Sequence, residues 1–148
     1  MAVDLKQLKT EDKGVLELYD HKGEPMGIRL MLAGPYSQQA LDSQKVSEKK
    51  RQNFFRQLGS VRKMSAGQQK EFDEMIQKLM EDRIVNSVLA WEYTEDIDSP
   101  EWIAGVPYGG DLLGCNKENV SMVFKELPYL KDQVFIFISN EANFTGAS

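Results

Sequence analysis

The chain has too few histidine and cysteine residues to build the commonest catalytic and metal-binding sites. Its 148 residues include one cysteine, Cys115, and one histidine, His21. No intrachain disulfide can form, and neither a zinc site nor a histidine-based triad can be assembled locally from two such distant residues. We interpret His21 as a surface residue of a polar turn, and Cys115 as a packing residue, since no base adjoins it.

Long apolar segments are absent as well. The longest, residues 134–138, is far shorter than the roughly 20 residues that a helix needs to cross a bilayer. The charged start of the chain does not resemble a signal peptide, and the lack of disulfides fits a reducing cytoplasm. We therefore expect a soluble intracellular protein without a membrane partner.

The length fits a single domain spanning residues 1–148. A chain of this size buries about two thirds of its unfolded surface, so it needs neither a metal nor a disulfide to fold. The net charge of −5 argues against nucleic acid as the main partner.

Charge is segregated along the chain. Residues 45–63 hold seven basic side chains against one acidic one, whereas residues 71–101 hold ten acidic and two basic ones. The two blocks can pair within the fold, between copies or with another protein, or they can be solvated helix faces of opposite sign. Phe54 and Phe55 beside the basic block resemble a single-strand nucleic-acid surface, but the negative net charge favours a solvated helix whose aromatic end is buried.

Periodicity predicts an α+β fold, mostly α, with an N-terminal β-hairpin followed by about four helices packed as one domain. Residues 15–19 and 26–32 predict two strands joined by a turn at 20–25, which form a hairpin arm over residues 1–35. Such a hairpin is marginal alone, so we expect it to pack on the helices or to pair with another chain.

Two long helices are predicted over residues 36–93. The first is polar, starts at Ser37 and ends at Gly59, and we expect it to complete its burial against a partner. The second begins with a capping box at residues 65–68. Its apolar residues recur at helical spacing and mark it as the core helix: Phe72, Met75, Ile76, Leu79, Met80, Ile84, Val88 and Trp91.

Residues 94–115 are rich in glycine and proline and predict a loop, followed by two short helices over residues 116–144. Asn116 is the expected cap of the first helix, and Pro128 suits the first turn of the second. Residues 134–138 fit either a continuing helix or a buried strand, and periodicity does not decide between them.

Two groups of residues in and next to the loop region could form a binding site, but both are better explained as ordinary loop structure. Its acids suggest a hard cation, or a small metal-dependent enzyme, but they lack EF-hand spacing and an accompanying nucleophile or base: Glu92, Glu95, Asp96, Asp98 and Glu101. Residues 105–110 are glycine-rich, yet they match neither a Walker loop nor a dinucleotide fingerprint. We predict a solvated loop and a turn-rich connection, with no cofactor, no metal and no enzymatic activity.

The last third of the chain carries a set of motifs in a telling order. Trp91 is followed by an acidic loop, by NKENV at residues 116–120, by LPYLKDQV at 127–134 and by NEANF at 140–144. This order resembles the tail assembly chaperones of long-tailed bacteriophages. In that family a "P-E-N-(apolar)" helix start precedes a "(P/Y)-W/Y-(L/I)-x-(D/E)-Q-(V/I)" helix and a terminal "(R/E)-A-N-F". The chain lacks the proline of the first motif, and LAGP at residues 32–35 fits the family's N-terminal half.

The resemblance implies a non-catalytic role during virion assembly. Such proteins bind the tape measure protein, the long helix-prone chain that sets tail length, and keep it soluble until tail tube subunits polymerise around it. The resemblance further implies self-association, contact with the tail tube protein, residence in the host cytoplasm and absence from the mature virion. The alternative is a minor structural tail or head-completion protein of the virion.

Helix-in-groove recognition is the expected mode of binding, because the partner is helical. We predict that large apolar and aromatic side chains of the helices and the loop contact it. The predicted partner-binding residues are Phe54, Phe55, Met75, Leu79, Trp91, Trp102, Phe124, Tyr129 and Phe144.

Overall fold

The structure, a computed structural model, describes residues 4–58 and 64–145. Their fold is α+β and mostly α, with four α-helices and a four-stranded antiparallel sheet, in agreement with the predicted class. The same residues include a two-stranded sheet and two short 3₁₀ turns, Leu5–Leu8 and Glu141–Phe144. None of the described helices combines the length and the apolar composition that crossing a membrane requires.

The predicted N-terminal hairpin is confirmed. Strand β1 (Lys13–Tyr19) pairs antiparallel with β2 (Pro25–Ala33). In the turn between them, the Asp20 carboxylate accepts hydrogen bonds from the backbone N–H groups of Lys22 and Glu24 at 2.8 and 3.0 Å. The hairpin is not a separate arm, because the other edge of β2 pairs with a third strand of the same sheet.

Helix α1 (Gln38–Leu58) is followed by a second long helix, and both predicted helix starts are confirmed. The Ser37 hydroxyl accepts a backbone N–H from the first turn of α1 at 3.2 Å. At the next helix Ser65 and Gln68 form a full capping box, in which each side chain accepts the backbone N–H of the other residue. The helix end predicted at Gly59 lies outside the described residues.

The second helix is shorter than predicted. Helix α2 (Ala66–Ser87) passes directly into strand β3 (Val88–Tyr93), so the prediction of a helix to residue 93 is wrong. Val88 and Trp91 lie three residues apart and both face the core, because the pairing of β3 with β2 contains a register shift. The three-residue spacing of Val88 and Trp91 therefore resembles the apolar stripe of a helix. The backbone groups of this segment, however, hydrogen-bond to β2 and not within a helix.

Residues 94–115 are not one continuous loop as predicted, since three short strands lie within them. β4 (Ile103–Ala104) extends the main sheet beside β3, and β5 (Val106–Tyr108) pairs with β6 (Asp111–Leu113) as a separate hairpin. The Gly-Gly pair at 109–110 connects these two strands with φ values of 59° and 88°. A two-residue turn with two positive φ angles is a tight hairpin connection, and Gly-Gly is its sequence signal.

The two predicted C-terminal helices are confirmed as α3 (Lys117–Glu126) and α4 (Pro128–Ile138). The Asn116 side chain accepts the backbone N–H of Asn119 at 2.8 Å, and Pro128 occupies the first turn of α4.

Residues 134–138 are helical, which resolves the open choice between helix and strand. Val134 and Ile138, one turn apart, are buried, whereas Ile136 between them is 70% exposed. A buried strand would place residues 134, 136 and 138 on the same face. Helical periodicity therefore outweighs the strand propensity of this segment.

The hydrophobic core lies between one face of the main sheet and the helices. The main sheet contributes Leu18, Leu30, Leu32, Val88 and Trp91, and β5 of the small hairpin contributes Val106. Helices α2, α3 and α4 contribute Ile84, Val120, Val123, Phe124, Leu130, Val134 and Ile138. Phe144 of the second 3₁₀ turn completes the cluster. Helix α1 adds no buried residue to it.

Candidate partner-binding surface

Four of the nine predicted partner-binding residues are part of the core. Leu79, Trp91, Phe124 and Phe144 are all buried. The Trp91 indole N–H donates to the Leu113 carbonyl at 2.8 Å, so the polar end of this side chain is also satisfied within the fold. In this conformation these four side chains stabilise the protein and are not accessible to a partner.

Three of the remaining residues lie where the C-terminal end of α1 packs against the N-terminal half of α2. Phe54 and Phe55 of α1 contact Phe72 of α2, with ring centroids 5.6 Å apart in both pairs. Phe55 remains 49% exposed, and Met75 lies one turn beyond Phe72 and is half-buried. The structure thus brings Phe54 and Phe55 together, with Met75 near them along α2.

One side of helix α1 is exposed along most of its length, although Phe55 at its end also contacts Phe72 of α2. Residues spaced four and three apart lie on one side of a helix. By this spacing Leu41, Lys45, Glu48, Gln52 and Phe55 share a face, and all five are exposed. We call these five residues the α1 outer face; it is apolar at both ends and charged in the middle.

Trp102 lies on the main sheet and covers an arginine. Its ring is 4.2 Å from the guanidinium carbon of Arg29, whose Nε donates to the Glu92 carboxylate at 3.1 Å. Arg29 and Glu92 are cross-strand neighbours on β2 and β3. The sequence analysis missed Arg29, since only the register of the two strands identifies the pair.

Tyr129 packs against the N-terminal hairpin. Its ring centroid is 3.9 Å from that of His21, which is exposed, as predicted for a residue of a surface turn. Tyr129 is half-buried by this contact, so it fixes α4 to the hairpin and offers only part of its ring to a partner.

The polar residues of the C-terminal motifs hydrogen-bond to nearby backbone. The Asn119 side chain donates to the Gly114 carbonyl, and the Asn143 side chain donates to the Phe137 carbonyl, both at 2.9 Å. The Asn140 carboxamide oxygen accepts the backbone N–H of Ala142 at 3.1 Å. These motif positions therefore shape helix ends and turns.

The acidic loop is organised by local hydrogen bonds. The Asp96 carboxylate accepts the backbone N–H groups of Asp98 and Ser99, at 3.0 and 3.3 Å. The buried Thr94 hydroxyl accepts the backbone N–H of Glu101 at 3.1 Å. Among residues 4–58 and 64–145, no three histidine, cysteine, aspartate or glutamate side chains are grouped so that they could hold a metal ion.

The environments of Cys115 and of the glycine-rich segment favour structural roles for both. Burial raises the pKa of the Cys115 thiol, which disfavours the nucleophilic thiolate. Gly105 donates its N–H to the Trp91 carbonyl at 3.0 Å and has a φ of 106°, a conformation that favours glycine.

Compared with protein-family models, curated proteins and solved structures, the chain has no match.

Proposed function

We propose that this protein is a tail assembly chaperone of a long-tailed bacteriophage. It binds the tape measure protein in the host cytoplasm and keeps it soluble until tail tube subunits polymerise around it. It performs no catalysis and leaves before the virion is complete. The C-terminal motifs support this assignment, and the α1 outer face is the observation that carries it.

The α1 outer face fits an elongated helical partner. Helix α1 has 21 residues, and none of them is buried. Its exposed residues include the apolar side chains of Leu41 and Phe55. These two residues lie about 20 Å apart along the helix, given a rise of about 1.5 Å per residue. A partner helix laid along this face meets an apolar contact at each end and Lys45 and Glu48 between them, which is a helix-docking arrangement.

The charge of the two long helices supports binding between proteins. The only ion pair that links α1 and α2 among the described residues is Lys50–Asp82, at 4.0 Å and largely exposed. Such a pair contributes little to stability. Most basic side chains of α1 thus remain available for acidic groups on the tape measure protein, on the tail tube protein or on a second copy of this chain.

Co-expression with the tape measure protein of the same phage tests the proposal. We expect the tape measure protein to move from the insoluble to the soluble fraction when this chain is present. The double variant L41S/F55S should lose most of this effect, because it removes both apolar ends of the α1 outer face. The matched control is I136S, which replaces an exposed apolar residue of α4.

Two results would contradict the proposal. One is a tape measure protein that stays equally insoluble with and without this chain. The other is the presence of the chain in purified virions, which favours a minor structural tail or head-completion protein. If L41S/F55S and I136S retain equal activity, the α1 outer face is not the contact surface.

A further inference from the structure

A cleft on one side of the α1–α2 interface has a lining that is part apolar and part polar, with two arginines and no acidic residue. Its volume is about 300 Å³. Apolar side chains from β2, the segment after it and α4 form part of the wall, among them Ala33, Pro35 and Ile138. The two helices provide the polar groups, which include Ser43, Ser47, Gln44, Arg51, Arg83 and Asn86.

The polar groups of α1 line the cleft because of their spacing. Ser43, Ser47 and Arg51 follow one another every four residues, so they form a row along one side of the helix. Arg83 and Ser87 repeat the same spacing on α2. The cleft thus has an arginine from each of its two helical walls.

Four of these polar side chains lack partners within the parts of the chain that the structure describes, whereas the Ser87 hydroxyl donates to the Ile84 carbonyl. Neither Arg51 nor Arg83 forms an ion pair there, although the protein carries a net charge of −5. The hydroxyl groups of Ser43 and Ser47 have no hydrogen-bond partner in the same residues. Two like charges beside one cavity repel each other, and a bound anion would remove that repulsion.

We propose that this cleft binds a small, doubly charged oxyanion of the phosphate class. Arginine guanidinium groups pair with phosphate oxygens through two parallel hydrogen bonds, and serine hydroxyls add further donors. The cleft has room for more than one phosphate group, so a phosphate monoester whose organic part rests on the apolar wall is also accommodated. Ser43 and Ser47 lie on a different side of α1 from Leu41 and Phe55, the apolar ends of the α1 outer face, so this site does not depend on the proposed contact with the tape measure protein.

Titration calorimetry with inorganic phosphate tests the site, with sodium chloride adjusted to hold the ionic strength constant. We expect saturable binding of one phosphate per chain. The double variant R51Q/R83Q should weaken it at least tenfold, because each charged hydrogen bond contributes about a factor of ten to affinity. The matched control is R56Q/K78Q, which removes one positive charge from each helix at positions outside the cleft.

The outcome decides between specific binding and general attraction by positive charge. Absence of saturable binding, or equal weakening in R51Q/R83Q and R56Q/K78Q, overturns the proposal. The variant S43A/S47A retains both charges and helical residues, so it provides a second test if the arginine variant is destabilised; we expect a severalfold loss. A parallel titration with glycerol 3-phosphate identifies the source: tighter binding than inorganic phosphate indicates a phosphate ester, and weaker binding indicates the free ion.

Discussion

The side chain of Gln133 forms two hydrogen bonds with the backbone of Tyr19. Its Oε1 accepts the Tyr19 N–H at 3.0 Å, and its Nε2 donates to the Tyr19 carbonyl at 2.8 Å. Strand β1 is the outermost strand of the main sheet, and no other strand within residues 4–58 and 64–145 pairs with its free edge. The Gln133 amide therefore satisfies backbone groups at this edge. Helix α4 is thereby joined to the N-terminal hairpin.

Replacing this amide should destabilise the fold. We expect Q133A to lower the free energy of unfolding by about 1–2 kcal/mol, since two partly exposed hydrogen bonds are lost. Urea unfolding followed by circular dichroism measures the change. The neighbouring exposed residue supplies the control, D132A, and equal effects of the two variants would refute the pairing.

Two glycines provide a matched pair of substitutions with opposite expected signs. A Cβ at Gly14 would lie 2.9 Å from the Phe144 ring and 3.1 Å from the Asn143 carbonyl oxygen, whereas nothing lies within 4 Å of one at Gly67. We expect G14A to cost about 1–3 kcal/mol through overpacking. G67A should stabilise α2 by up to about 1 kcal/mol, because alanine is the better helix former. Thermal unfolding of both variants checks the pair, and a neutral G14A would show that the Phe144 ring is free to move.

Helix α1 should open more readily than the rest of the described fold. None of its residues is buried, whereas α4 buries Leu130, Val134 and Ile138. Amide hydrogens in regions with few buried apolar contacts exchange through low-energy local openings. We expect the α1 amides to exchange at least tenfold faster than those of α4, measured by mass spectrometry on the same sample. Equal protection of the two helices would contradict this, and would mean that α1 is held more firmly than its burial indicates.

The Tyr108 hydroxyl should titrate at a higher pH than an ordinary tyrosine. The Tyr108 hydroxyl donates a hydrogen bond to the Glu126 carboxylate, which raises the pKa of Tyr108 above its ordinary 10.0, with smaller contributions from desolvation and charge repulsion. Since the pKa is raised in the folded protein, the stabilisation is complete below pH 10 and is lost as the pH rises through the folded pKa.

Tyrosinate absorbance during an alkaline titration measures this effect. We expect E126Q to shift the pKa of Tyr108 downward. Tyr36, whose pKa is raised by a hydrogen bond to Glu141, serves as the internal reference and should not change. A titration curve identical to that of the wild type would show that the carboxylate does not control Tyr108.

Local sequence signals predict the helix starts and turns that are formed by hydrogen bonds between residues close together in the sequence. The capping box at Ser65, the cap at Asn116 and the turn at Asp20 all depend on contacts within a few residues. The sequence therefore predicts where these helices begin and where the hairpin turns.

Features that depend on distant pairing could not be predicted in the same way. β3 exists because β2 lies beside it, and its two core residues happen to follow helical spacing. The cleft between α1 and α2 requires Arg51 and Arg83, which are far apart in sequence, to line one space. The Gly-Gly turn of the small hairpin is the exception, since its signal is local and was available in the sequence.

The contact of Phe144 with the start of β1 also sets an order of events during synthesis. The Phe144 carbonyl accepts the backbone N–H of Glu11, and its ring covers Gly14. Residue 144 must therefore leave the ribosome before the contacts of Phe144 with the start of the N-terminal hairpin can form. Until then the start of β1 lacks the cover of the Phe144 ring, so folding is completed after most of the chain has been translated.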